Sequence, residues 1–584
     1  MPTKRIPLVG VHDPRTIDGQ ATIVAGQDQR FVNCIFNVVS DPITGKSIAY
    51  LAKRPGWGVE TIVSAGNIST GLIRTTSMDS VLSAFGDTNS TIYDSQVSLG
   101  TITGRALHFS ETLISGVGYV VIKSSDGTGW YYPSNARAQT SYTGDTTNTS
   151  TTVNNIASTA GMYSGQAISG AGIPASTRIA SVTSSSVIEL DTAATATAAG
   201  VTLTKTPIAK ILDADFITTG SFISKFVELD GFLTYCTDDG TLRNSDLNSV
   251  ASYSALGQIA VQMSPDGAVA VARHKNAVIC FGTESAETFR NAGNPSGSPM
   301  QRVADGTTKV GCLDQRSVTD IEDEIFFVTS SRDGDLMVKK LPGLVTVSTA
   351  AISRMLGTIS NEAHIYLSAF SLGGTKYVSA YVTTGENAGS NELLLELGDF
   401  LLLEDGDNIL LEQSSSVTAY FGRNFVYNVD HNIWCEWDSN IPSFVFGQGT
   451  GATNQLIAAS RVNTGGKIYR INTSADGELH TDDGSTFTTT ITTTKIDLGT
   501  GTTKFINAVR LIGDVQPAGT VTLSYSDNDY DSFTTAGTFD LTIRTPELRG
   551  LGSHDGGRVW RLEHSTDGAF RAQAIEIDYD FGTS

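Results

Sequence analysis

The sequence predicts an all-β protein: a β-propeller of six or seven blades with inserted small β domains and a C-terminal β-sandwich. Three observations lead there. The 584 residues include 59 Gly and only 17% charged residues, with Ser and Thr plentiful, a composition that favours turns and strands over helices. Short apolar segments separated by turn residues recur, about four strands to a unit of roughly 35–50 residues once insertions are removed, which is the period of propeller blades. No long stretch carries a 3.6-residue apolar period, and the nearest helix candidate is the short run Ile352 to Ile359. The repeat is one of shape, without a WD or kelch motif, and a pair of β-sandwiches is the competing arrangement.

Residues 1–60 form an N-terminal segment, expected to pack with the C-terminal sandwich. It holds a strand at RFVNCIFN (Arg30 to Asn37), a turn at DPITGK, and a strand at IAYLAKRPGWG that Pro55 and Gly56 end. The propeller is expected over 61–476. Its units are Gly71 to Ile102, Ala106 to Ser134, Ser224 to Leu247, two within Val269 to Lys340, His364 to Ser439 with an interruption, and Phe444 to Thr473. Asp-Gly pairs at 126–127, 230–231, 239–240 and 333–334 supply hairpin turns, because Asp and Gly tolerate the backbone that tight turns require. Two segments break the rhythm. Residues 139–205, rich in Thr, Ser and Ala and nearly free of charge, read as an inserted β domain. Residues 386–416 restate an LLLE phrase between Gly-Asp breaks and read as an inserted β-hairpin segment. From 477 to 584 the strands lengthen and alternate, as in a β-sandwich.

The formal charge is −21, so the net field repels phosphate and disfavours a DNA-adhesive role. The five cysteines, at 34, 236, 280, 312 and 435, are odd in number and form no CxxC, which suits core thiols in a reducing cytoplasm. The N-terminus lacks an apolar signal region and no run is long enough to span a bilayer, so neither secretion by the usual route nor membrane insertion is expected.

No catalytic, cofactor-binding or metal-ligating residue is assigned. The histidines at 12, 108, 274, 364, 431, 480, 554 and 564 have no metal spacing, and no nucleophile elbow or phosphate loop occurs. Asp527, Asp529 and Asp531 stand at calcium-loop spacing but lack the Gly and distal Glu of an EF-hand, so a hairpin turn is the expected reading. SSDGTGW (Ser124 to Trp130), TDDGSTF (Thr481 to Phe487) and STDGAF (Ser565 to Phe570) resemble sialidase Asp-boxes, yet an Asp-Gly turn with an aromatic packed on it produces the same phrase. The acidic phrase TDIEDE (Thr319 to Glu324) is either a solvated blade turn or part of a negative surface.

Three phrases carry a family resemblance. RFVNCIFNVVSDPITGKSIAYLAKRPGW (Arg30 to Trp57), with its Asn-Cys pair and RPG turn, Ala272 to Val318, and the terminal RVWRLEHSTDGAFRAQAIEID resemble the tail nozzle, tail hub or packaged-DNA stabilisation proteins of short-tailed bacteriophages. The resemblance implies a non-enzymatic virion protein without cofactors. It implies a six-copy ring below the portal and its adaptor, contacting tail fibre, needle or tip proteins, and retaining and later conducting dsDNA that passes without specific binding. The virion tail would be assembled in the host cytoplasm. An acidic lumen agrees with this, since it offers DNA no adhesive contacts, although only charges within a Debye length of about 8 Å matter. The alternative is a glycan-binding or glycan-cleaving propeller in host recognition; an intracellular propeller scaffold is a third possibility. The segments 139–205 and 386–416 depart from the family pattern.

Overall fold

The computed structural model describes residues 3–8, 30–40, 47–63, 68–86, 88–137, 140–217, 223–261, 264, 266–330, 336–357, 365–382, 423–438, 443–448, 456–460, 466–471, 480–498, 502–528 and 530–582. The expected hairpin segment at 386–416 and the Asp333-Gly334 turn lie outside the described residues.

Strands dominate, as the composition predicts. Five separate four-stranded antiparallel sheets recur along the chain, fewer than the six or seven blades expected. Two further four-strand units on the same plan are fused into nine-stranded sheets, and with them seven units stand in sequence order. The first blade comprises Ser69–Thr75, Ser80–Phe85, Ser90–Asp94 and Val97–Ile102. The second comprises Ala106–Ile114, Val117–Ser124, Gly129–Pro133 and the end of Ala198–Lys210. The third runs from Val227–Leu229 to Tyr253–Ala260, the fourth from Ala268–His274 to Met300–Thr308, and the fifth from Val318–Ile321 to Val345–Thr346. The sixth comprises Ile365–Leu372, Thr375–Val382, Arg423–Asn428 and Ile433–Glu436. The seventh joins Ser443–Gln448, Leu456–Ser460 and Lys467–Ile471 to Trp57–Ile62, a strand that precedes the first blade in sequence. The first strand of the seventh blade lies against the first strand of the first, so the ring is closed by strands from the two ends of the propeller.

The cores explain why blade strands read as unbroken apolar runs. Successive side chains on a strand point to opposite faces, and each blade is covered on both faces by its neighbours. In the fifth blade, Phe326 and Val328 enter the core shared with the sixth, while Ile325 and Phe327 enter the core shared with the fourth. In the fourth blade, Ile279 and Phe281 face the fifth while Val278 and Cys280 face the third. Each large apolar side chain buried in this way contributes about 1.5–3 kcal/mol. The helix candidate is displaced slightly: the helix is Ala350–Gly357, packing Ile352 and Leu356 into the core between the fifth and sixth blades.

Residues 141–205 interrupt the second blade between its third and fourth strands. They carry a separate core of Tyr142, Val153, Ile156, Ile168, Ile179, Ile188, Leu190 and Leu203. The 13-residue strand Ala198–Lys210 serves both bodies: Val201 to Thr204 pairs within the inserted domain, and Ala209 and Lys210 complete the blade.

The C-terminal strands form two facing sheets. Lys504–Gly513 and Arg571–Phe581 lie in a seven-stranded sheet with the leader strands Thr3–Pro7, Cys34–Ser40 and Ser47–Lys53. Thr489–Thr492, Thr520–Ser526, Thr534–Asp540 and Val559–His564 lie in the other. That second sheet is continuous with the sixth blade, because Arg30–Val32 pairs antiparallel with Thr489–Thr492 and parallel with Glu436. Two boundaries therefore differ from expectation. Trp57–Ile62 belongs to the propeller and crosses the 60/61 division, and the sandwich beginning at 477 shares a sheet with a blade.

Candidate functional site: the leader clasp and the inner ring

Two features of the described residues concentrate charge and chemistry. The first is built on Lys53-Arg54-Pro55-Gly56-Trp57, the RPG turn. Arg54 is fully buried and Asp482 is 1% exposed, and they pair at 2.6 Å. The guanidinium donates to both carboxylate oxygens, Nη1 at 3.0 Å and Nη2 at 2.6 Å, in the fork geometry that makes arginine–carboxylate pairs directional. Nε donates to Asn33 Oδ1 at 2.9 Å, and the remaining donors reach the carbonyls of Pro55 and Asp438. Phe487 covers the guanidinium at 4.0 Å from its ring centroid. Asp482 also accepts from Trp57 N–H at 3.1 Å.

Asn33 holds the other side of the clasp. It adopts φ 55°, a left-handed conformation that Asn tolerates better than most residues. Its amide donates to Thr488 O at 2.8 Å, and its own carbonyl accepts from Arg54 N–H at 3.0 Å. The Asn-Cys pair and the RPG turn, two separate phrases in the sequence, are thus one hydrogen-bonded unit. Gly56 is needed at the turn: a Cβ there would lie 2.0 Å from Thr481 O.

Lys53 donates to Phe487 O at 3.0 Å and Thr566 O at 2.8 Å. Burial, with the adjacent Arg54, pushes its ammonium down to about 8. His480 and His564 stand near it, and burial together with Lys53 and His480 lowers His564 to about 4. The two C-terminal Asp-box-like phrases therefore serve this clasp. Asp482 and Phe487 come from TDDGSTF, whereas from STDGAF Asp567 accepts from His480 N–H at 3.3 Å and Phe570 stacks on His564. The aromatic of TDDGSTF packs on a cation of the leader, which the phrase alone does not reveal. At SSDGTGW the turn closes on itself: Asp126 accepts from Thr128, whose hydroxyl accepts from Trp130 Nε1–H.

A second buried arginine disposes of the calcium reading for Asp527. Arg558, 1% exposed, donates to both of its oxygens at 2.7 and 2.8 Å and stacks over Tyr525 and Trp560. Among the described residues no group of His, Cys, Asp and Glu is arranged to hold a metal ion. Asp529 lies outside the described residues.

The second feature is the ring of inner strands. The turn before the fifth blade, Gln315–Ser317, is capped by Asp314, whose carboxylate accepts from Ser317 N–H while Ser317 Oγ–H donates back. Gln315 accepts from the backbone N–H of Lys225 and Val271 and donates to Val271 O, tying the segment before the third blade and the fourth blade to the fifth. Arg316 reaches Tyr366 of the sixth at 3.1 Å. Burial, then Arg316, lowers Lys123 of the second blade to about 8, and burial with Lys123, Arg316 and Lys225 lowers His108.

The acidic phrase TDIEDE belongs to the same ring, where every acid has a lysine. Asp320 meets Lys225 at 3.5 Å, Glu322 meets Lys376 at 2.9 Å, Asp323 meets Lys275 at 3.8 Å and Glu324 meets Lys340 at 2.7 Å. The lysines come from the segment before the third blade and from the fourth, fifth and sixth blades. Exposed pairs of this kind contribute only about 0–1 kcal/mol each, but they cancel the local field, so the phrase does not make a negative surface. All five cysteines are free and buried.

Residues 155–373 match the family model described as Phage_stabilise: Bacteriophage P22 Gp10, beta-propeller. The matched span runs from the inserted domain through the third, fourth and fifth blades into the first strand of the sixth. It bears out the resemblance carried by the sequence, and the propeller it describes is the fold observed. No curated protein matches the chain. Among solved structures, the computationally designed Ika8 protein is similar with TM-score 0.31 at 10% identity, covering 71% of this chain and 100% of that one. A Mitotic Checkpoint Complex chain is similar with TM-score 0.32 at 10% identity, covering 71% and 96%. Likenesses at these scores carry no weight for fold or function.

Proposed function

We propose that this chain, a tail-associated phage structural protein built on the phage-stabilisation propeller, is one subunit of a six-copy tail nozzle that retains packaged dsDNA and conducts it during ejection. The match across the central blades carries the reading. The net charge of −21 supports it, since a conduit for DNA works best when its wall does not adhere to phosphate. The protein acts without catalysis or cofactor. Its wall is rigid because every blade core is shared with a neighbour and the leader clasp ties the ring to the sandwich. The portal adaptor above, and fibre, needle or tip proteins below, are its partners. The inserted domain at 141–205, which has a core of its own and hangs from one blade, is the candidate contact for a fibre or the host surface.

Light scattering on the purified chain and one negative-stain image test the ring: six-fold particles with a central hole are expected, and a strict monomer at assembly concentrations refutes it. Particles assembled without the protein should lose their packaged DNA, and retention of full DNA content would remove the retaining role. Deleting the inserted domain should abolish fibre or host attachment while leaving the ring intact; unchanged attachment would remove that assignment.

A further inference from the structure

A cavity of about 440 Å³ opens where the leader hairpin meets the sixth blade and the sandwich. It is lined by the leader residues Asn37, Tyr50 and Lys53, by the turn around Gly373, by His431 and His480, and by Arg571. In a chain of formal charge −21 the described residues of this lining include two cations and two histidines, and among them no carboxylate. Described acids around it are engaged elsewhere, Asp430 among them, which accepts from Lys376 N–H at 2.9 Å. Asp482 is held by Arg54, Asp514 lies 3.5 Å from Arg571, and Asp567 accepts the backbone N–H of His480.

His480 is 2% exposed, and its Nδ1 sits 3.0 Å from the carbonyl oxygen of Arg54. A carbonyl can only accept, so Nδ1 carries a proton, and in the neutral ring Nε2 presents a lone pair. That Nε2 is buried and has no hydrogen-bond partner. Lys53 spends two of its three N–H donors on carbonyls, leaving one. A buried acceptor beside cationic donors asks for an occupant that is anionic and also carries an O–H. Sulfate and a simple carboxylate lack the O–H, whereas a singly protonated phosphate monoester has both. The volume lies in the range of small-ligand pockets, about 300–1,000 Å³, and leaves room for an organic group beyond the phosphate.

We propose that this cavity binds a small phosphate monoester, with its O–H donated to His480 Nε2 and its charged oxygens facing Lys53 and Arg571. The test is calorimetric titration of the full chain at pH 6, where about half of such a monoester is singly protonated. Glycerol 3-phosphate is the probe, with inorganic phosphate and sulfate as further arms at matched ionic strength. One saturable site per chain is expected, with sulfate at least tenfold weaker than either phosphate. Arg571→Ala should weaken binding about tenfold or more, the loss of one charge-assisted contact. Arg571 is half-exposed, so this variant should fold, and His480→Phe adds a second arm if it folds too. Equal affinity for sulfate, an unchanged Arg571→Ala, or no saturable heat would each overturn the assignment.

Discussion

Asp482→Ala is the sharpest perturbation of the clasp. The substitution removes the acceptor of three hydrogen bonds, two from the Arg54 guanidinium and one from Trp57 N–H. Arg54 has no route to water, being fully buried, so its charge is left in the interior with carbonyls, Asn33 and the Phe487 ring but no anion. Breaking a buried pair in this way costs about 3–5 kcal/mol, most of it the penalty of the orphaned charge rather than the worth of the pair. The double variant Arg54→Met with Asp482→Leu removes both charges at similar volume and should recover at least half of the loss. Urea unfolding followed by tryptophan fluorescence reads the effect where it occurs, because Trp57, Trp437 and Trp560 share the core around the clasp. A single variant within about 1 kcal/mol of the parent would refute the argument. So would a double variant as unstable as the single, since the cost would then lie in shape and not in charge.

Further expectations follow from the same geometry. Lys53, Lys123 and Lys205 are each pushed down to about 8, chiefly by burial, so between pH 8 and the unfolded value near 10.5 the unfolded chain holds more protons than the folded one. Stability should therefore rise from pH 8 to 10, by up to about 3 kcal/mol per lysine, and thermal melts showing a fall over that window would contradict the burial of these ammonium groups. On the acid side His564, lowered to about 4, should cost stability as pH falls from 6.5 towards 4, and His564→Gln should flatten that limb of the melting profile. Gly56→Ala places a methyl 2.0 Å from the Thr481 carbonyl and should destabilise by about 1–3 kcal/mol, read in the same urea titration. Burial raises the thiols of Cys34, Cys280 and Cys312 and takes Cys435 to about 12, so Ellman's reagent should find no fast-reacting thiol in the native protein and all five in urea.

Much of the propeller is legible in the sequence because its signal is local. LTYC at 233–236, VICF at 278–281 and IFFV at 325–328 are runs that only a strand covered on both faces can afford, and Asp-Gly turns space them. The closure was not legible, because Trp57–Ile62 pairs with Lys467–Ile471 across some four hundred residues and neither strand carries a mark of the other. The same holds for Arg30–Val32, three residues that join a blade to a sandwich. The clasp was half visible: Asn33, the RPG turn and the two Asp-Gly-aromatic phrases all stand out as phrases. Nothing local says that Asp482 and Phe487 are aimed at Arg54 rather than at their own turn. The acidic phrase at 319–324 misleads for the opposite reason, since its lysine partners lie at 225, 275, 340 and 376 and a count of neighbours along the chain misses three of them.

The order of strands also constrains how the wall can form. The outer strand of the seventh blade is made before any blade, yet its partner strand appears only after Ile433–Glu436 has completed the sixth. Closing a loop of that length costs little more than closing a shorter one, because the entropy grows only with the logarithm of its length. It must, however, be met before the final inter-blade core can form, so the ring gains its last face in a single late step. Arg54 sits three residues before that strand and cannot be satisfied until TDDGSTF has been made, beyond the end of the propeller. A buried arginine without its carboxylate is costly, so the open ring is penalised until the sandwich docks. Ring closure and sandwich docking are thereby coupled through one ion pair. A chain truncated before residue 480 should accordingly keep blades one to six and lose protection from exchange in both Trp57–Ile62 and the seventh blade; retention of protection there would uncouple the two events.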